Sequence, residues 1–130
     1  MAKPALVESD IRIGERLIVD LERRGIVASF AGWMLNSETK EYDLVISSNG
    51  IIRNGTARYY RIIASILRTS PEYSRLSISD IMLMPLQRSF LKAIASVTVP
   101  NEHFDGTSEL RNVSTGSMFI EHAIIFRIAV

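Results

Sequence analysis

Between Ile26 and Leu35 the chain reads as a strand with no polar face. Successive side chains of a strand point to opposite sides of its sheet. Ile26, Ala28, Phe30 and Met34 therefore share one side, and Val27, Ala31, Trp33 and Leu35 the other. A strand of this kind belongs at the centre of its sheet or covered on both faces. That requirement points to a layered fold, with helices packed on at least one face of a sheet.

The flanking segments supply those layers. From Asp10 to Arg24, Ile11, Ile13, Leu17, Ile18 and Leu21 fall on one side at 100° per residue, which predicts an amphipathic helix. Ser9 is its expected N-cap, and Gly25 its left-handed stop. After a polar turn from Asn36 to Lys40, Tyr42 to Ile46 reads as a second strand, pairing with the first as an antiparallel hairpin. Asn49-Gly50 and Asn54-Gly55 predict turns. A second helix follows from Thr56 to Thr69, a third strand from Leu76 to Leu83, and a short helix from Leu86 to Val97. Pro100 to Gly116 is polar and without period, which predicts a long loop, functional or mobile. Ser117 to Val130 closes the chain as a long strand, with Met118, Ile120, His122, Ile124, Phe126 and Ile128 on one face. The expected fold is α+β, a four-stranded, mainly antiparallel sheet packed with three helices in the order α-β-β-α-β-α-β, all within one domain.

Composition narrows function by exclusion. With 130 residues, 47% of them hydrophobic, the chain can bury one core. It has no cysteine, which excludes a disulfide scaffold, a zinc–thiolate centre and a cysteine nucleophile. Fifteen basic and 14 acidic residues give a net charge of +1, with no global pull toward nucleic acid or anionic membrane. The first eight residues lack a signal-like apolar core, and no apolar run approaches the ~20 residues needed to cross a bilayer. The expectation is a cytoplasmic protein without membrane association.

Four constellations bear on chemistry. Glu102, His103 and Asp105, with His122 from the closing strand, mix imidazole and carboxylate as divalent-metal sites do, but their spacing fits no metal motif. His122 also interrupts an apolar strand face, where a buried imidazole needs a hydrogen-bond partner. Arg58, Arg61, Ser65 and Arg68 fall within one narrow wedge of the second helix, and Arg53 extends the row, so a phosphate backbone or an acidic partner could lie along it. No Gly-x-Ser-x-Gly nucleophile elbow is present, and the nearest form, Ser114-Thr115-Gly116-Ser117, lacks the flanking strand-to-helix order. No phosphate-binding glycine loop is present, and no cofactor is expected. The doubly apolar strand and the long closing strand suggest that some sheet surface meets a partner or a second copy, with a homodimer the favoured form.

Leu21-Glu22-Arg23-Arg24-Gly25-Ile26, Ala31-Gly32-Trp33-Met34-Leu35, Glu41 to Ser48, Gly55 and Tyr60 together carry a resemblance. The first half of the chain resembles a group of small uncharacterised bacterial proteins. In these a helix ending in glycine leads to a strand with tryptophan, a polar turn, an aliphatic strand ending in serine, and a helix bearing a tyrosine. Tyr42 stands where that pattern has a tryptophan. The resemblance implies a small bacterial cytosolic protein and assigns no catalytic residue. The leading functional reading is a non-enzymatic accessory or protein-interaction module. The alternative is a nucleic-acid-associated protein using Arg53, Arg58, Arg61 and Arg68. A metal-assisted hydrolase built on His103, Asp105 and His122 comes third.

Overall fold

A computed structural model describes residues 3–116 and 118–129. Ser117 and Val130, the expected ends of the closing strand, lie outside the described residues. The elements are α1 (Glu8–Arg23), β1 (Phe30–Asn36), β2 (Glu41–Ser47), α2 (Asn49–Asn54), α3 (Ala57–Leu67), β3 (Ile81–Leu83), α4 (Arg88–Ala95), β4 (Val99–Pro100), β5 (Ser108–Thr115) and β6 (Met118–Ile128). Two 3₁₀ turns, Pro71–Arg75 and Ile78–Asp80, precede β3. The strands form one sheet in the order β3-β2-β1-β6-β5-β4. All neighbours are antiparallel except β2 and β3, which run parallel.

The fold is therefore α+β, but the expected four-stranded sheet with three helices is corrected to a six-stranded mixed sheet with four. Two extra strands come from the segment expected to be a loop. β4 and β5 flank a turn in which the Asn101 side chain accepts hydrogen bonds from the amides of His103 (2.8 Å) and Phe104 (3.2 Å). The extra helix arises because Asn49-Gly50 opens a helical turn rather than a loop. Ser48 Oγ accepts a hydrogen bond from the Ile51 amide and caps α2. Gly55, at φ 83°, then separates α2 from α3. The third strand is shorter than expected because Ser77 to Asp80 coils, with the Asp80 carboxylate accepting from the Ser77 amide. It is parallel to β2 because the chain returns through the α2–α3 crossover.

β1 lies between β2 and β6, and Phe30 through Met34 are all buried. On one face α1 and α3 cover Ala31, Trp33, Leu44, Ile46, Ile124 and Phe126. The Trp33 indole N–H donates to the Asp10 carbonyl at 3.2 Å. On the other face the eight-residue α4 packs Leu91 and Ile94 against Phe30, Leu110 and Ile125. Strict alternation along β6 fails because the register with β1 shifts between Ala31 and Gly32, leaving one extra residue in β6. Ile120 and Ile128 consequently pack with Ala123 and Ile125 rather than with Ile124 and Phe126.

At the N-terminus, the Asp10 carboxylate rather than Ser9 caps α1, accepting from the Val7 amide at 3.1 Å. Burial alone would raise Asp10, but the Val7 amide, Lys3 and Arg75 together hold its carboxyl below the usual range. Lys3 also donates to the Arg75 carbonyl at 2.9 Å, and its own carbonyl accepts from the Tyr42 amide at 2.7 Å. These bonds lay residues 3–6 beside β2.

Candidate functional site

The methionines show where the sheet is left incomplete. Met34 of β1, Met82 of β3, Met84 just beyond it, and Met118 of β6 converge on one groove of about 280 Å³. Val45 forms part of its floor, and Phe119, 51% exposed, stands at its side. The groove exists because α4 is too short to cover the whole second face, so the end nearest the β1–β2 turn stays open. Its charged lining residues are Glu38 and Asp43, with no lysine or arginine. Neither carboxylate is ion-paired among the described residues. Burial pushes the Asp43 carboxyl up, an Asn36 hydrogen bond partly offsets this, and Glu41 and Asp80 push it further.

His122 occupies a second, larger cleft on the opposite face, about 520 Å³, walled by Pro4, Leu6, Phe104 and Ile124. Its Nδ1 lies 2.5 Å from the Tyr42 hydroxyl, and its Nε2 lies 3.7 Å from Glu109 Oε2. Glu109 Oε1 in turn accepts from Arg111 Nε at 2.6 Å. Burial raises the Tyr42 pKa, so the phenol keeps its proton and donates to Nδ1. The imidazole proton then sits on Nε2, facing Glu109. Burial first, then Arg111, lower the His122 pKa, and Glu109 and Glu121 only partly compensate. The neutral imidazole is thereby favoured, and its one hydrogen bond, from the Tyr42 hydroxyl to Nδ1, fixes its tautomer. Nε2 itself is buried and makes no hydrogen bond. This cluster orients a side chain; its one free nitrogen is closed off from the cleft.

The sequence-derived metal set is only partly assembled. His103 lines the same cleft as His122. Asp105 does not, and its backbone carbonyl accepts from Arg12 at 3.4 Å. Among the described residues no group of three or more His, Asp or Glu side chains is placed to hold a metal ion. Ser114 and Thr115 end β5 at the hairpin into β6, with Gly116 at φ 56°.

Arg53, Arg58, Arg61 and Arg68 are all exposed, the first on α2 and the others along α3 and at its C-cap. None is ion-paired among the described residues. Arg58 shares a cavity of about 390 Å³ with Arg24, Tyr59 and Ile62.

Sequence reasoning missed the groove and three members of the histidine cluster. Tyr42 reads as a strand aromatic, while Glu109 and Arg111 fall in the supposed loop. The available signal was that every methionine after Met1 falls in or beside an apolar strand segment. No protein-family model matches the chain, and comparison with curated proteins and with solved structures found no match. Among the described residues, no helix is long and apolar enough to cross a membrane.

Proposed function

We propose that this protein is a cytoplasmic, non-enzymatic interaction module whose docking surface is the methionine groove, and that it receives an amphipathic segment carrying basic residues. The convergence of Met34, Met82, Met84 and Met118 beside the half-exposed Phe119 carries this reading. Methionine is unbranched and polarisable, so it adapts its shape to an apolar guest and is over-used at surfaces that accept varied partners. An apolar patch rimmed by polar groups is the usual mark of such a surface.

The rim selects the guest. Glu38 and Asp43 offer unpaired negative charge at the groove, and Glu41 lies on the same hairpin. A basic flank on the incoming segment satisfies them. Two copies meeting groove to groove would bring like charges together, which disfavours self-association through this surface.

The test uses a fluorescent amphipathic helix of leucine and lysine beside its leucine–glutamate counterpart. The basic peptide is expected to bind and the acidic one not to. Phe119→Ser and Met82→Ser are each expected to weaken binding by about tenfold, as loss of a partly buried anchor does. Equal binding of both peptides, or no loss in either variant, would overturn the reading. So would a dimer in sedimentation that Phe119→Ser converts to monomer, since the groove would then serve a second copy.

A further inference from the structure

We infer that the exposed face of α2 and α3 is a second binding surface, for the phosphodiester backbone of a nucleic acid. Between Ser47 and Pro71 the chain carries four arginines and no acidic residue. The rest of a chain whose net charge is only +1 is therefore net acidic, and the positive charge is segregated on one surface. Elsewhere most arginines pair internally: Arg16 with Asp20 and Glu72, Arg127 with Glu22, Arg111 with Glu109 and Arg75 with Asp10; Arg88 on α4, on the opposite face, is an isolated exception among the described residues. Arg53, Arg58, Arg61 and Arg68 have no such partner among the described residues, and Arg24 joins them across a shared cavity.

Geometry fits a linear polyanion. Arg58, Arg61 and Arg68 lie on one side of α3 over about 15 Å, the rise of ten helical residues. A nucleic-acid strand presents a phosphate about every 3.4 Å of duplex axis, so the row tracks several of them. Guanidinium binds phosphate through two parallel N–H donors, which lysine cannot do. The partner class follows from what this face lacks. Ile63 and Ile66 of α3 are buried in the core, Tyr59, Tyr60, Ile62 and Leu67 are half-buried against it, and of the large hydrophobic side chains on the two helices only Ile52 of α2 is exposed, at 36%. A membrane-surface helix needs an exposed apolar face, and a protein interface needs a desolvated apolar centre. A phosphate backbone needs neither. The surface reads charge and spacing, without sequence selectivity.

Binding of a labelled DNA duplex of about 20 base pairs and of a single-stranded RNA of similar length would be followed by anisotropy between about 50 and 200 mM salt. With about four phosphates neutralised, duplex affinity is expected to fall about 100-fold across that range. The variant R58Q/R61Q/R68Q is expected to lower the salt slope by about three and weaken binding at least tenfold at the lower salt. The variant R88Q/K92Q on α4 removes two exposed cations from the opposite face and is expected to leave binding unchanged. The DNA and RNA arms identify which nucleic acid is preferred. Absence of binding to both at about 50 mM salt overturns the inference, as do equal losses in the two charge variants. Tighter binding to polyglutamate or to phosphatidylserine vesicles than to either nucleic acid also overturns it. Circular dichroism melting of each variant confirms that a lost signal reflects lost charge and not lost fold.

Discussion

Gly32 is the residue on which the sheet's geometry turns. A β-carbon there would lie 2.6 Å from the Ile124 carbonyl oxygen and 2.9 Å from Ile125 Cα, both backbone of β6. Neither can retreat without breaking the register shift that sets which β6 side chains face which layer. Gly32→Ala is expected to destabilise the protein by about 1–3 kcal/mol, the usual cost of overpacking, read as a lower urea midpoint. An unchanged midpoint would mean the bulge does not depend on this close approach. His122 gives a second residue-scale expectation. Its folded pKa is lowered, by burial first and Arg111 second. Between that value and the unfolded value near about 6.5 the unfolded chain binds more protons, so stability rises with pH across this window. The contribution is whole above about pH 6.5 and drains away as pH falls. Asp10 and Glu109, also lowered, add losses of the same sign further into acid. His122→Gln should therefore flatten the decline in melting temperature between about pH 7 and 5 while leaving the deeper acid loss. A variant that melts in parallel with the parent across that range would show that His122 titrates as it does in the unfolded chain.

Elements differ in how openly the sequence declares them. α1 is legible because two independent signals agree: a 3.6-residue apolar period, and a glycine at φ 83° just past its end. The β1–β2 hairpin is legible for a similar reason, a polar turn between two apolar runs. β5 is not, because its apolar residues Leu110 and Val113 are three apart, and Asn112 between them takes φ 50°, which disturbs strand alternation. α2 is hidden by Asn-Gly, whose turn signal competes with the Ser48 cap and loses to it once Ile51 is buried. Ser48→Ala is expected to cost about 1 kcal/mol in thermal or urea denaturation, because it leaves a helix amide unsatisfied in a buried setting. Ser48→Asp, which can still cap, should recover part of that loss, and failure of both to alter stability would mean α2 is held by Ile51 alone. The candidate surfaces follow the same logic. The arginine row was legible because an exposed helix face depends only on local periodicity. The methionine groove was not, because its residues come from four strands, the β1–β2 turn and the segment after β3, which only the sheet order brings together.

At the scale of the whole molecule, the sheet separates two unlike surfaces. α3 and its arginines lie on the face with α1, while the methionine groove and α4 lie on the other. One is positive with most of its apolar residues turned inward; the other is apolar with an acidic rim. A basic segment is repelled wherever it approaches the arginine face, and a polyanion wherever it approaches Glu38 and Asp43, so each surface discourages the other's ligand from binding to it. Layer thicknesses put the two on the order of 20 Å apart, a helix layer and a sheet of roughly 10 Å each. The screening length at physiological salt is about 8 Å, so charge on one face acts weakly on the other. Perturbations of the two surfaces should therefore be additive. Phe119→Ser is expected to leave duplex affinity within about twofold of the parent, and R58Q/R61Q/R68Q to leave peptide affinity within the same margin. The combined variant should lose both activities while keeping the parent's melting temperature within a few degrees. If Phe119→Ser weakens nucleic-acid binding as much as the arginine changes do, the two surfaces are not separate, and the molecule presents a single site that wraps the edge of the sheet.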